Sequence, residues 1–409
     1  MKHVLSISTI YPNAENPRFG AFVARSLEAL AQRKSTPEAG AWKVSVINPI
    51  GLPPLGLSAA VPRYKALSDL QERGSEGGVD IYRPRFTLIP KVGARRNAAA
   101  IAKAALPVVR AIHEQTPIDV IDAQYFFPDG PAAAMIAEEL GLPLSIKARG
   151  SDINYWGEFD FAREQMLDAA EQAAGLLSVS QALAREMVAL GMSEDKITVH
   201  YTGLDRDRFR PLGHTQLRAQ LGKELGVTLP ANAPLLAGVG ALNMRKGHDF
   251  AIRALAELST DYPGAHLLII GKGEDEAAFR ALASDLGLAD RVHLTGSVDH
   301  NLLPIILSAA DVMVLPTESE GLANAWVEAI ACGTPVVTSD VGGARELVTN
   351  DVAGRLVERT PQAVAAGVWA ILADPPDPQA VAAMVEHFDW VTHADKLAAH
   401  YEKLASKSA

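Results

Sequence analysis

The sequence predicts an α/β protein built as two Rossmann-like halves, each around a parallel sheet. Three observations carry this. At 409 residues the chain is too long for one hydrophobic core and suits two domains. Short apolar runs alternate with segments of helical periodicity along its length. The pattern of strand, Gly-bearing loop and helix begins near residue 3 and begins again near residue 234.

In the first half, residues 3–7 read as a strand. A loop rich in Pro, Asn and Gly then leads to a helix at 22–30. Gly20 in that loop is where a ligand could approach the backbone closely. Residues 42–47 form the next strand, and 49–62 an apolar, proline-rich loop. A short strand at 80–85 and a helix at 97–113 follow. The strand opened by Val120 and Ile121 runs into a polar loop that contains Gln124. Residues 132–140 are helical, and the strand at 144–148 ends in Arg149-Gly-Ser-Asp152. Polar groups at the carboxyl ends of successive parallel strands line binding crevices, which singles out Gln124, Arg149 and Asp152. Asp152 reads equally well as a helix N-cap. A strand at 176–179 and a helix at 181–190, capped by Ser180, complete this half with a short strand at 197–200. A polar span from 212 to 233, with room for one helix, separates the halves.

The second half restarts with a strand at 234–239 and the loop Gly240-Ala-Leu-Asn-Met-Arg-Lys-Gly247. Helices at 250–258, 277–286 and 302–310 alternate with strands at 266–270 and 292–294. The apolar run 312–315 is a buried strand, ended by Pro316 and a polar turn up to Gly321. Helical density follows, until Gly333 and Pro335 stop it. A strand at 336–339, a helix from Ala344, a later helix around 369–373 and an amphipathic helix at 394–404 close the chain.

The net charge of −10 lies in the second half: residues 1–212 hold 24 Lys+Arg and 24 Asp+Glu, the remainder 14 and 24. Such a chain is a poor general nucleic-acid binder. Its single cysteine, Cys332, permits no internal disulfide and reads as a small buried residue. No run reads as a membrane span or signal peptide, so the expected location is the cytoplasm. Arg63, Lys65, Arg83, Arg85, Lys91, Arg95 and Arg96 form a basic region, and the apolar loop 50–60 beside Arg63, Lys65, Arg83 and Arg85 raises peripheral contact with anionic lipid on the inner face of the membrane. A loop folded over its own domain is the simpler reading. His113, His200, His248, His293 and His300 are scattered, so no metal site is expected. No Walker A or G-x-S-x-G loop occurs, and Gly271 and Gly273 do not extend to G-x-G-x-x-G.

Chemistry concentrates around 318–328. Glu320 precedes a helix, and Glu328 lies about two turns into it. The free backbone N–H groups of that helix start suit an anion. Carboxylates beside an anion site suit a ligand with both phosphate and hydroxyls. Arg245 and Lys246, on a loop at a strand end, supply the positive charge a diphosphate needs to bind and to leave.

The wording of these segments is more specific than their spacing. From Glu320, E-G-x-x-x-x-x-x-E-A-x-A-x-G-x-P-V-V resembles the donor signature of group 1 (family 4) retaining glycosyltransferases of the GT-B fold. The loop Y-P-N-x-x-x-P-R-x-G-x-F-V from Tyr11 is similar to their N-terminal loop. Arg245-Lys246-Gly247 resembles their G-R-L-x-x-x-K-G segment, with Ala241 in place of the arginine so that Arg245 takes its role. Gln124 and Arg149 stand where that class carries histidines, Asp152 is retained, and Thr202 replaces an asparagine before the interdomain crossing.

The resemblance implies two domains facing across a cleft. Residues 1–212 would be the acceptor side, 213–385 the nucleotide-sugar donor domain, and 386–409 a helix crossing back. It implies Glu320, Lys246 and Arg245 as catalytic residues. Gly20, Gly240, Gly271, Val298, Gly321, Leu322, Ala323, Asn324 and Glu328 would bind the donor, with Glu328 on the ribose and the backbone of Val298 at the base. Gln124, Arg149 and Asp152 would face the acceptor. The expected activity is transfer of a sugar, with retention, from a nucleoside-diphosphate sugar to a glycan or lipid-linked acceptor hydroxyl. The expected setting is surface polysaccharide or glycolipid assembly, without cofactor or metal. A sugar-nucleotide epimerase of the same fold, or a non-catalytic nucleotide-sugar binder, are the alternatives.

Overall fold

The computed structural model describes residues 1–17, 19–34, 40–54, 61–89, 93–299 and 301–407. Lys91, His300 and most of the apolar loop 50–60 therefore lie outside the described residues. The chain forms two compact units, one of Met1–Gly203 with Trp390–Ala409, the other of Leu204–Asp389. Both are Rossmann-like α/β units, as expected from the sequence.

The strands of the first unit are β1 (Lys2–Ile7), β2 (Trp42–Ile47), β3 (Ile50–Leu52), β4 (Arg73–Glu76) and β5 (Val79–Tyr82). They continue with β6 (Arg85–Thr87), β7 (Val120–Ala123), β8 (Leu144–Ala148), β9 (Gly175–Ser178) and β10 (Ile197–Val199). Eight of them make one sheet in the order β10-β9-β8-β7-β1-β2-β5-β4, parallel except for the β4–β5 hairpin. β3 and β6 pair separately. Alternation along the strands splits the core into two layers. Leu5 and Ile7 join the layer under the helices Ala94–Gln115, Asp129–Leu140 and Asp160–Gln172. Val4 joins Val44 and Val46 in the layer covered by Ala21–Gln32 and the C-terminal helix Trp390–Lys407.

That last helix presents Leu397, Ala398, Tyr401 and Leu404 to the sheet at helical spacing. It also carries histidines into a buried basic cluster. Lys147 on β8 meets His200 Nδ1 at 2.8 Å, and His200 Nε2 lies 3.0 Å from the His393 carbonyl. The His200 and His393 rings stack at 4.2 Å. Burial, and then the Lys147 charge, hold His200 and His393 well below the usual imidazole range. Burial brings His400 in this unit and His248 in the other down to about 4.

These histidines are neutral in the fold and protonated in the unfolded chain between pH 6.5 and about 4. The unfolded state then binds more protons, so stability falls as pH drops through that window, by about 2 kcal/mol per histidine at pH 5. Asp129, pushed up to about 7 by burial, works in the opposite sense between about pH 4 and 7. Burial raises Asp122, Asp152, Glu28 and Glu186 in the same sense as Asp129, and lowers His3, His266, His293 and Lys147 in the sense of the other histidines. With seven histidines and Lys147 against five carboxyls among the described residues, thermal melts are expected to give a lower Tm at pH 5.0 than at pH 7.5. Equal values would remove this account.

The second unit contains β11 (Leu235–Val239), β12 (His266–Ile270), β13 (Val292–Gly296), β14 (Val312–Val314), β15 (Val336–Ser339) and β16 (Gly354–Val357). All pairs are parallel, in the order β13-β12-β11-β14-β15-β16. Counted from β11, this is the 3-2-1-4-5-6 order of a dinucleotide-binding sheet, with its direction of winding reversing between β11 and β14. Leu236, Leu267, Ile269, Val312 and Val314 face the helices His248–Leu258 and Pro361–Ala373. Leu235, Ala237, Leu268 and Ile270 face the other layer, with Leu221 and Ile306.

The sequence reading did not anticipate β3, β4, β16 or the helices Pro62–Ser68 and Asp160–Gln172. β4 is exposed throughout, and its residues are no strand pattern without the β5 partner. Of the basic residues beside the apolar loop, Arg83 and Arg85 are turned inward onto backbone carbonyls of Gln71 and Leu70.

Candidate active site

In an open α/β sheet, ligands bind at the carboxyl ends of the strands where the winding reverses. In the second unit this point lies between the loops that follow β11 and β14. The first loop folds tightly because Asn243 caps it: its side chain accepts the Lys246 N–H at 3.2 Å and closes a short helical turn at Met244–Lys246. Gly247 follows with φ 75°, and a Cβ there would lie 2.2 Å from the Pro316 carbonyl oxygen. Glycine thus lets the two loops touch.

The contact is then stitched by backbone. The Glu318 N–H donates to the Arg245 carbonyl at 2.8 Å, and Thr317 Oγ1 donates to the same oxygen at 3.2 Å. Arg245 Nη1 returns a bond to the Ser319 carbonyl at 2.6 Å. This framework sets Lys246 Nζ in an ion pair with Glu320, with Arg245 Nη1 3.8 Å from the same carboxylate oxygen. The Lys246 and Glu320 side chains are each 15% exposed, and that of Arg245 45%. Two cations and one carboxylate are therefore held in a partly desolvated cluster, where their fields exceed those of surface charges.

Glycines pack the surrounding loops against this cluster. A Cβ on Gly342, after β15, would lie 1.7 Å from the Glu320 carbonyl oxygen, and the Gly343 N–H donates to Gly321 O at 2.8 Å. A Cβ on Gly271, after β12, would lie 1.8 Å from the carbonyl oxygen of Gly240. Gly321, Leu322 and Ala323 lead into the helix Asn324–Ala331, and no side chain caps that helix start. Glu328 sits partly buried further along this helix. Burial, helped by the Glu328 charge, pushes the Cys332 thiol up to about 12, which leaves it inert at neutral pH. Val298 packs against the apolar layer of Leu268 and Ile270.

In the first unit the corresponding reversal lies between β1 and β7. Gln124 follows β7, is fully buried, and donates to Asp122 at 2.6 Å. Arg149 follows β8, donates to the Gln124 carbonyl at 3.0 Å and lies 4.9 Å over the Phe22 ring. Burial lowers its guanidinium to about 10, so it stays charged. Asp152 is fully buried and accepts from the backbone N–H groups of Phe126, Arg149 and Gly150. Its visible work is to cap that turn. Gly20 has φ 71°, and a Cβ there would meet its own loop at the Ile10 carbonyl. Among the described residues no group of three or more His, Cys, Asp or Glu side chains is placed to hold a metal ion.

Residues 226–387 match the family model "Glycosyl transferases group 1", and residues 59–208 match "Glycosyltransferase Family 4". A D-inositol 3-phosphate glycosyltransferase of Catenulispora acidiphila is 30% identical over 306 residues, 69% of this chain and 72% of that relative. The chain belongs to the GT-B glycosyltransferases. A GDP-mannose-dependent alpha-(1-6)-phosphatidylinositol monomannoside mannosyltransferase of Mycolicibacterium smegmatis is 28% identical to this glycosyltransferase, over 84% of the chain and 89% of the relative. The fold of a sucrose-phosphate synthase from Thermosynechococcus elongatus superimposes with a TM-score of 0.77 at 22% identity, covering 100% of both chains. The Arg245–Lys246–Glu320 cluster of the glycosyltransferase lies inside the group 1 match, and Gln124, Arg149 and Asp152 lie inside the Family 4 match.

Sequence reasoning found Arg245, Lys246 and Glu320, which the structure brings into one cluster. It missed the residues that hold them: Asn243, Thr317 and Arg359. Asn243 carries a usable signal, an Asn three residues before the lysine whose amide it caps. Arg359 carries none, because its partner Met244 is 115 residues away.

Proposed function

We propose that this glycosyltransferase moves a sugar from a nucleoside-diphosphate sugar to a glycan or lipid-linked acceptor hydroxyl, with retention of configuration. The observation that supports it is the gathering of Arg245 and Lys246 around Glu320 at the reversal point of the second sheet. In transfer, the bond between anomeric carbon and diphosphate breaks with its electron pair leaving on phosphate. The acceptor oxygen bonds to that carbon on the same face, and its proton passes to the departing phosphate oxygen. Lys246 and Arg245 stabilise the charge that develops there. An ammonium has three donors, so Lys246 can keep Glu320 while it meets a phosphate oxygen. Glu320 positions the transferred sugar, and the backbone N–H groups of Gly321 to Asn324 hold the distal phosphate. Glu328 accepts from the ribose hydroxyls, and the backbone of Val298 meets the base. The mannosyl donor and glycolipid acceptor named for the mycobacterial relative support a role in surface glycan or glycolipid assembly.

The test is a thermal-shift and turnover screen across UDP-, GDP- and ADP-sugars with excess EDTA, with NMR assignment of the product anomer. Transfer in EDTA with a retained anomer is expected. An epimerised donor without acceptor would replace transfer by epimerisation. Nucleotide binding without turnover on any acceptor would leave a binding protein, and an inverted anomer would overturn the front-face route.

A further inference from the structure

Arg359 lies just beyond β16, with no charged partner in its immediate reach among the described contacts, yet it touches both loops of the cationic cluster. Its Nε donates to the Pro316 carbonyl at 3.0 Å, at the start of the turn that carries Glu320. Its Nη2 donates to the Met244 carbonyl at 2.6 Å and approaches the Arg245 carbonyl at 3.4 Å. The guanidinium lies 4.7 Å over the ring of Phe250, on the helix that starts after Gly247. Arg359 is itself fixed from behind. Thr360 caps the helix Pro361–Ala373 by accepting the Ala363 N–H at 3.2 Å, and that helix packs in the apolar layer with Leu255 and Val314.

We propose that Arg359 is a positioning residue for phosphate recognition: its planar fork ties the Met244–Lys246 turn to Pro316 and so fixes Lys246 and Arg245 toward the distal phosphate. The proposal rests on the donor-site reading above. The Arg245 carbonyl collects the Glu318 N–H, the Thr317 hydroxyl and the edge of Arg359. Three donors on one oxygen leave the turn little freedom. A guanidinium can bond two carbonyls in one plane while stacking on an aromatic face, and an ammonium cannot. Removing it frees the turn without removing either cation. The loss should then fall on whatever those cations hold, not on the nucleoside.

The readout is the affinity ratio between a nucleoside diphosphate and its monophosphate, measured by calorimetry on the full chain. UDP/UMP, GDP/GMP and ADP/AMP are the probes. A general loss of folded protein scales both affinities alike and leaves the ratio unchanged. Arg359→Ala is expected to reduce the ratio about 5- to 10-fold with monophosphate affinity retained, and Arg359→Lys to reduce it about 3-fold, with Lys246→Ala as the reference that collapses it. If Arg359→Ala fails to fold, the Arg359→Lys ratio decides. An unchanged ratio in the folded Arg359 variants, with Lys246→Ala collapsing it, overturns the role of Arg359 alone. An unchanged ratio in Lys246→Ala, or no diphosphate binding by the unsubstituted chain, overturns the donor-site reading and the proposal with it.

Discussion

Lys246→Ala is expected to lower sugar transfer about 10²- to 10³-fold, the range measured when one preorganised charge-stabilising donor is removed. The reason is local. Lys246 Nζ is held by the Glu320 ion pair, its backbone by the Asn243 cap, and its loop by Gly247 against Pro316. None of this has to be organised when the leaving group develops charge. The stability effect should be far smaller. At 15% exposure the pair lies between a surface and a buried ion pair, and Glu320 keeps Arg245 at 3.8 Å when Lys246 is gone. A loss of about 1–3 kcal/mol follows, a Tm drop of several degrees. Initial rates and melts on the same preparation separate the two. Near-normal transfer by a folded Lys246→Ala chain would remove Lys246 from the mechanism.

Gly342→Ala should instead damage fold and site together. Gly342 has φ 51°, and an added Cβ would sit 1.7 Å from the Glu320 carbonyl oxygen and 3.2 Å from that of Gly321. Both are backbone atoms, so no flexible side chain can yield. The Gly343 N–H bond to Gly321 O pins the same segment from the other side. Relief requires the Glu320–Gly321 turn to move, which takes the carboxylate off Lys246. A loss of roughly 3 kcal/mol or more, with transfer reduced beyond the unfolded fraction, is expected. Gly287→Ala is the control: its φ is 69° but nothing lies within 4 Å of the added Cβ. It should show only the left-handed penalty of about 1 kcal/mol and normal transfer. Equal effects at both positions would mean that φ, and not the contact with Glu320, decides.

What was legible in the sequence is what depends on neighbours in the chain. β11, β12 and β15 are apolar runs with Gly or Pro at an edge, and each lies close to where the pattern places it. The cluster was legible because Glu320 and the Arg245-Lys246 pair sit in distinctive loops at strand ends. Edge pieces were not. β4 is Arg-Gly-Ser-Glu, and only its hairpin partner makes it a strand. The surroundings of the first unit's polar strand-end residues were also hidden. Gln124 and Asp152 are typed like surface contacts but lie fully buried, engaged with Asp122 and with backbone N–H groups. Arg359 was invisible for a related reason: it acts through carbonyls, which every residue has, so nothing in its partners' side chains marks it.

The most direct test of the central claim is hydrogen exchange on the full chain, with and without whichever of UDP, GDP or ADP binds. The expected result is new amide protection at Gly240–Gly247 and at Gly321–Asn324, the two loops at the reversal point of the second sheet, with Lys246→Ala losing it. Protection that spares both loops while nucleotide is bound would contradict the donor site.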